Sequence, residues 1–234
     1  SMIVINAAMA HQLNEFKAQI DALVSGGMEQ EEALYKVLKE TIIASKDIRF
    51  EGDGYSENWK EEAAKRGLTN ISHVPEAIMR FNDLQSRQVL IGEHIFNENE
   101  LSGRIEVELE KFTKKLQIES RVLGDLAINH IVPTAVIYQN RLLENLRGLR
   151  ETFSPEEYEM LGADRRELVK EIQLHILEIK KLVREMTNAR HIANRLKSQI
   201  KKAYSYQDTV SPYMEKIREH IDHLELEIDD EIWP

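Results

Sequence analysis

The sequence predicts an all-α protein, a shorter helical portion followed by a long antiparallel helical hairpin or bundle, and three observations carry that expectation. Ten glycines and five prolines are spread over 234 residues, too little punctuation for a sandwich, barrel or wound α/β sheet, which need a turn every dozen residues or so. Apolar residues recur at three- and four-residue steps along most of the chain, the period of a helix with one buried face. Finally, 42% of the residues are apolar, enough to bury a core.

Each element follows from local signals. A first helix is expected over 2–24, stopped at Gly26-Gly27, where a left-handed C′ position costs glycine little. A second, over 29–45, sets Ala33, Leu34, Val37, Leu38, Thr41 and Ile42 on one stripe. A loop from Asp47 to Asn58 carries Gly52-Asp53-Gly54. A short helix over 57–66 ends at Gly67, and 68–97 reads as shorter helical pieces with Pro75 in a first turn. From 98 to 152 the pattern is almost continuous through Ile105, Leu109, Phe112, Leu116, Leu123 and Leu126, with a kink expected at 129–133 because Pro133 removes one backbone donor and crowds the preceding turn. Ser154 and Pro155 suit an N-cap and first turn of a short helix ending near Gly162.

The longest helix is expected over 164–207, its stripe running Leu168, Ile172, Ile176, Ile179, Val183, Met186, Ala189, Ala193, Leu196, Ile200, Tyr204. It would reach roughly 65 Å at 1.5 Å per residue. Only the 98–152 segment is long enough to cover that stripe, so the two should pack antiparallel. A last helix over 212–226, capped by Ser211, would fold back as a third member. Two portions result, 1–97 and 98–234. An apolar helix beginning at Met2 without a cap suggests a chain cut from something larger, and Ser1 reads as a cloning scar.

Charge and composition narrow the function. The chain has 31 basic and 41 acidic side chains, net −10, and seven of the carboxylates fall between Glu219 and Glu231 with no Lys or Arg among them. Such a balance argues against nucleic acid as a partner, because that contact needs a basic stripe. The cluster Lys197, Lys201 and Lys202 is expected to be a solvated face. The absence of cysteine excludes disulfides and thiolate chemistry and fits a reducing compartment. No stretch has the apolar length of a membrane span, and the opening 2–10 lacks the positive region of a signal peptide. A cytoplasmic protein without a membrane partner is expected.

Catalytic motifs are missing. No glycine precedes a lysine, so there is no P-loop, and Gly52-Asp53-Gly54 lacks the later glycine of a dinucleotide fingerprint. With Gly52 as pivot, the 47–58 loop would put Asn58 where an EF-hand needs its bidentate Glu. No histidine follows a glutamate by three residues, which excludes the di-iron bundle motif. His220 and His223 stand one turn apart among acids and could share a metal, although two exposed histidines on an acidic helix is the favoured reading. His130, beside Pro133, is expected to be a satisfied buried polar residue, and His94 and His175 show no partner. No catalytic, cofactor-binding or metal residue is therefore assigned.

Three stretches, in order, nevertheless resemble one family. They are Arg49-Phe50-Glu51-Gly52-Asp53-Gly54-Tyr55-Ser56 with Trp59, Glu62-Ala63 and Arg66-Gly67-Leu68; then Gly124-Asp125-Leu126-Ala127-Ile128-Asn129-His130-Ile131-Val132-Pro133 with Tyr138-Gln139-Asn140 and Glu144-Asn145; then His220-Ile221-Asp222 through Leu224-Glu225-Leu226 to Asp229-Asp230 and Trp233-Pro234. The set is similar to the C-terminal region of type III glutamine synthetases, and Ile5-Asn6-Ala7 through Ala10 resembles the helix after that family's last catalytic strand. The resemblance implies a parent enzyme that makes glutamine from glutamate, ammonia and ATP, with Mg or Mn clamping phosphate and carboxylate. It implies that the metal ligands and nucleotide site lie on a sheet upstream, so this fragment alone is expected to be non-catalytic and to hold no cofactor. Its partners would be other subunits of the same enzyme in a ring homo-oligomer. The alternative is a free-standing helical-bundle or coiled-coil interaction module without enzymatic role.

Overall fold

The structure, a computed structural model, describes residues 2–234; Ser1, read above as a scar, lies outside the described residues. Among these there is no strand, and the chain is all-α. It divides into two compact units, Ser1–Ile105 and Glu106–Pro234.

The first unit contains α1 (Met2–Ser25), α2 (Gln30–Ala44), α3 (Glu57–Lys65), α4 (Val74–Met79), α5 (Leu84–Gly92) and the start of α6 (Glu98–Leu126). Two of its helices, α1 and α3, stop where the sequence places glycine. Beyond α1, Gly27 takes φ 96° while Met28 N–H bonds to Leu23 O at 3.1 Å and Gly27 N–H to Val24 O at 2.9 Å. This is the Schellman pattern, which satisfies carbonyls the helix leaves open. Gly67 repeats it after α3, with φ 71° and Leu68 N–H bonded to Ala63 O at 2.9 Å. After α5 the same position belongs to His94, at φ 57°, whose following residue donates to Leu90 O. The buried set is Ala7, Ala33, Val37, Ala63, Pro75, Leu90, Leu101 and Ile105, with alanine its commonest member. Of the six positions expected on the α2 stripe, two are buried and Thr41 is half-buried. Ala33 and Val37 are buried, but Leu34, Leu38 and Ile42 are exposed, because α1 covers only a narrow strip of α2.

The second unit takes in the rest of α6, then α7 (Val132–Thr152), α8 (Pro155–Leu161), α9 (Ala163–Asn194), α10 (Gln199–Ser205) and α11 (Ser211–Glu227). Its core joins Ala127, Ile131, Val132 and Ala135 to Ile172, Ile176, Ile179 and Met186, and to Tyr206, Val210, Ile217 and Leu224. Full burial of an Ile or Leu contributes about 1.5–3 kcal/mol, so this seam dominates the unit's stability. Helix α7 lies along α9, and α11 folds back on α9 as expected. Leu109 is buried as expected, whereas Leu126 is exposed. Polar Thr113 and Ser120 share the inward face of α6. Their hydroxyls donate to Leu109 O at 2.8 Å and Gln117 O at 3.2 Å, so neither is left unsatisfied.

Two expectations around prolines are corrected. At Pro133 the helix widens rather than simply kinking: Ala127–Ile131 form a π-turn in which Val132 N–H bonds to Ala127 O. The extra residue in the turn separates the proline ring from the carbonyls it would strike. Pro212 is treated likewise. Tyr206–Val210 form a second π-turn closed by Ser211 N–H on Tyr206 O, so Ser211 sits inside a continuous helix instead of capping a new one.

The expected 164–207 helix is also shorter. Helix α9 ends at Asn194 after 32 residues, about 48 Å, and Ser198 caps α10, its Oγ accepting from Lys201 N–H at 3.4 Å. The break brings fully buried Tyr206 back onto α9, where its hydroxyl donates to Asn194 Oδ1 at 2.9 Å. Burial of that ring outweighs the uninterrupted helical period. The short helix expected after Ser154 is present, with a capping box in which Ser154 N–H donates to Glu157 Oε2 at 3.0 Å.

Candidate functional site

The loop 47–58 is built on stacking and backbone bonds. Phe50 and Trp59 rings lie 4.3 Å apart, with the Arg66 guanidinium over both at 5.9 Å. Arg66 also donates to Arg49 O at 2.8 Å and Glu62 Oε1 at 2.7 Å, and this bond to Arg66 holds the Glu62 carboxyl below its ordinary value. A Cβ at Gly52 would come 2.8 Å from the Phe50 ring, so a side chain there would have to displace that ring. Asp53 Oδ1 accepts from Tyr55 N–H at 2.9 Å, an Asx-turn, and leaves the Tyr55 ring 95% exposed at the tip.

The histidines are placed differently from expectation. His130 is exposed on the π-turn, not buried, because the widened turn points it out of the seam. His94 serves the end of α5. His175, which has no local partner, meets the pair His220 and His223 across the α9–α11 seam. The Nδ1 atoms of His175 and His220 are 2.9 Å apart, and the His175 and His223 rings stack at 5.2 Å. Burial lowers the pKa of His175, and the nearby His220 and His223 lower it further, against Glu171 and Glu227. A cavity of about 340 Å³ beside them is lined also by Glu178. Among the described residues, no group of three or more His, Asp or Glu side chains is disposed to hold a metal ion. The donors here therefore do not fit a resident Mg or Mn.

A larger cavity, about 570 Å³, lies between α6 and α9, lined in part by Gly124, Asp125 and Asn129 of the second family-like stretch. Arg121 and Arg190 line it with Asp125, Asn129 and Thr187. Gly124 faces α9: a Cβ there would touch Val183 Cγ1 and Met186 Cε, both at 3.4 Å. Arg190 Nε is buried without a hydrogen-bond partner. Its guanidinium pKa is lowered by burial, raised by Tyr206 and lowered by Arg121. On the outer face of α6, Ile118, Val122 and Leu126 are 63%, 51% and 46% exposed, one stripe at four-residue steps. They edge an apolar groove shared with Met214 of α11. Of the lysine cluster, Lys197 and Lys201 are exposed as expected, while Lys202 is half-buried and faces the Glu110 carboxylate.

An all-helical chain with this loop and these bundle seams has named relatives. The family model for the glutamine synthetase C-terminal domain matches residues 33–150, half of the chain, and the protein belongs to that family. Glutamine synthetase of Bacteroides fragilis (strain YCH46) is 67% identical over 234 residues, all of this chain and 32% of the relative. Type-3 glutamine synthetase of Dictyostelium discoideum is 28% identical over 240 residues, covering 99% of this chain and 31% of the relative. Glutamine synthetase of Butyrivibrio fibrisolvens is 27% identical over 217 residues, 92% of this chain and 30% of the relative. The family is the one the three ordered stretches resemble, and the chain spans about a third of the length of the relatives it matches. Among the described residues, no helix is long and apolar enough to cross a membrane.

Proposed function

We propose that this chain is the helical part of a larger cytoplasmic glutamine synthetase, an ATP-dependent ligase that joins ammonia to glutamate, and that its task is subunit packing. The observation that carries this reading is the exposed apolar stripe Ile118, Val122, Leu126 on α6, presented by a chain whose relatives are about three times as long. Apolar surface of this kind, rimmed by charge, marks a protein–protein contact. Neighbouring subunits of a ring homo-oligomer are its proposed partner. ATP and Mg or Mn belong, in this reading, to the portion of the enzyme outside these 234 residues, and no step of the ligation is assigned to a residue here.

The test has two arms. Phosphate release from ATP, with glutamate and ammonia present, is expected to stay at blank level for the 234-residue chain, and turnover overturns the non-catalytic assignment. In the intact enzyme, Ile118→Asp with Val122→Asp is expected to shift sedimentation to smaller species while the circular dichroism stays helical. An unchanged sedimentation profile overturns the packing role.

A further inference from the structure

Three imidazoles meet on the α9–α11 seam, His175 from α9 with His220 and His223 from α11. Among the described residues no lysine or arginine lines the cavity of about 340 Å³ beside them, whose other polar side chains are the carboxylates Glu171, Glu178 and Glu227. Glu178 is shared with Lys181 at 3.1 Å. Glu171 and Glu227 are held by no lysine or arginine among the described residues, and both act electrostatically on His175. The seam therefore offers nitrogen lone pairs in a field that favours a cation.

The hydrogen bonds fix where those lone pairs lie. His223 Nδ1 is 2.6 Å from Glu219 O, and a carbonyl can only accept, so the neutral ring carries its proton on Nδ1 and its lone pair on Nε2. A backbone carbonyl on the second nitrogen is a usual support of a metal-binding imidazole. The Nδ1 atoms of His175 and His220, 2.9 Å apart, share one proton, so one donates and the other accepts. Moving the donor's proton to its own Nε2, through solvent, leaves both rings neutral and frees two lone pairs toward the same space. Metal–imidazole bonds run about 2.0–2.1 Å, so two nitrogens at right angles on one ion lie about 2.9 Å apart. The spacing that suits the hydrogen bond suits neighbouring ligands equally.

Imidazole suits late first-row divalent ions, whereas magnesium and manganese prefer oxygen. No three side chains converge on one point as they stand among the described residues, so the site is an open one with solvent as further ligands. We propose that the seam binds a late first-row divalent cation, zinc or nickel, through His175 Nδ1 and His220 Nδ1, with water in the remaining positions. His223 stands beside the pair as a further imidazole, its ring 5.2 Å from that of His175. The ion joins α9 to α11 and so fastens the last helix to the bundle. The site shares no residue with the exposed stripe of α6 that carries the packing role, so either proposal can fail without the other.

The experiment titrates zinc chloride and, separately, nickel chloride into the metal-free 234-residue chain by calorimetry, with magnesium chloride as the control. One ion per chain is expected to bind with a Kd of about 100 µM or tighter for at least one of the two metals, with a raised Tm and no response to magnesium. With zinc, long-range proton–nitrogen spectra should show the Nδ1 signals of His175 and His220 moving together. His175→Gln and His220→Gln are each expected to weaken binding about tenfold or more. His191→Gln, at an exposed position of α9 outside the cavity lining, should leave it unchanged. The Nδ1 shifts are read on the unaltered chain, so they decide the matter even if a variant fails to fold. Affinity weaker than about 100 µM for both metals overturns the proposal. Binding that survives His175→Gln unaltered also overturns it, because the ion would then sit on α11 alone.

Discussion

The two units reach stability by different means. In the first, buried residues are few, and helix ends are fixed by left-handed C′ residues, by the Ser56 cap on Trp59 N–H and by arginine bonds to loop carbonyls. In the second, one apolar seam runs from Ala127 through Ile172, Ile176, Ile179 and Met186 to Leu224, and two π-turns adjust the helices around it. The first unit thus leans on turn chemistry and on polar bonds such as His11 and Asn14 to Glu93, and the second on one extended apolar seam.

Breaking the seam should have the largest effect. Ile179 is fully buried, so Ile179→Ala is expected to destabilise the second unit by about 3 kcal/mol, from lost transfer energy plus the cavity left behind. Urea unfolding followed by circular dichroism measures it, and a loss below about 1 kcal/mol would mean that the core collapses around the gap. Turn chemistry in the first unit should respond less. Gly67→Ala places a Cβ at φ 71° and is expected to cost about 1 kcal/mol, whereas His94→Gly at φ 57° should gain up to about 1 kcal/mol by relieving the same strain. Hydrogen exchange in the helices of the first unit would report both, and opposite signs are the outcome that supports the contrast.

The smallest expected effect concerns protons at the α9–α11 seam. Burial lowers the pKa of His175 in the folded chain below its ordinary 6.5, so the unfolded chain takes up this proton first as pH falls. Stability is then full well above 6.5 and declines as pH drops through that value. Tm at pH 5.5 should lie below Tm at pH 7.5, and His175→Gln should reduce the difference. The carboxylates held low by Arg66, Lys114 and the Ser154 backbone, namely Glu62, Glu110 and Glu157, lose their contributions only as pH falls below their ordinary 4.5. The interval from 7.5 to 5.5 therefore isolates the imidazoles. An equal Tm shift in His175→Gln would assign the dependence to other groups.

Much of the helical layout is legible in the sequence because its signals are local. Gly27 and Gly67 end helices, Ser154 and Pro155 begin one, and the isoleucine period predicts the buried face of α9. The break after Asn194 is not legible, since apolar spacing continues through Ile200 and Tyr204 and only the burial of Tyr206 interrupts it. Pro133 and Pro212 announce a disturbance but not its kind, because a kink, a cap and a widened turn all relieve the same clash. Of the candidate sites, the loop 47–58 could be found from its Gly-Asp-Gly pattern. His175 and His220 are 45 residues apart, and Arg121 and Arg190 are 69 apart. Pairings at that distance leave no periodic mark, so the cluster and the cavity become visible only when the helices are placed side by side.

The widened turn at Ala127–Ile131 also governs rotational phase. Each residue added to an ideal helix swings everything beyond it by about 100°, and a turn that accommodates one extra residue cancels such a swing. Deleting a single residue there would restore ordinary winding and leave Val132 and Ala135 facing Ile172, whereas deleting one from the regular turns of α9 would swing everything beyond it out of the seam. The chain thus stores its tolerance for one-residue edits unevenly, and the two proline-linked turns are the places where helix length and helix facing are uncoupled.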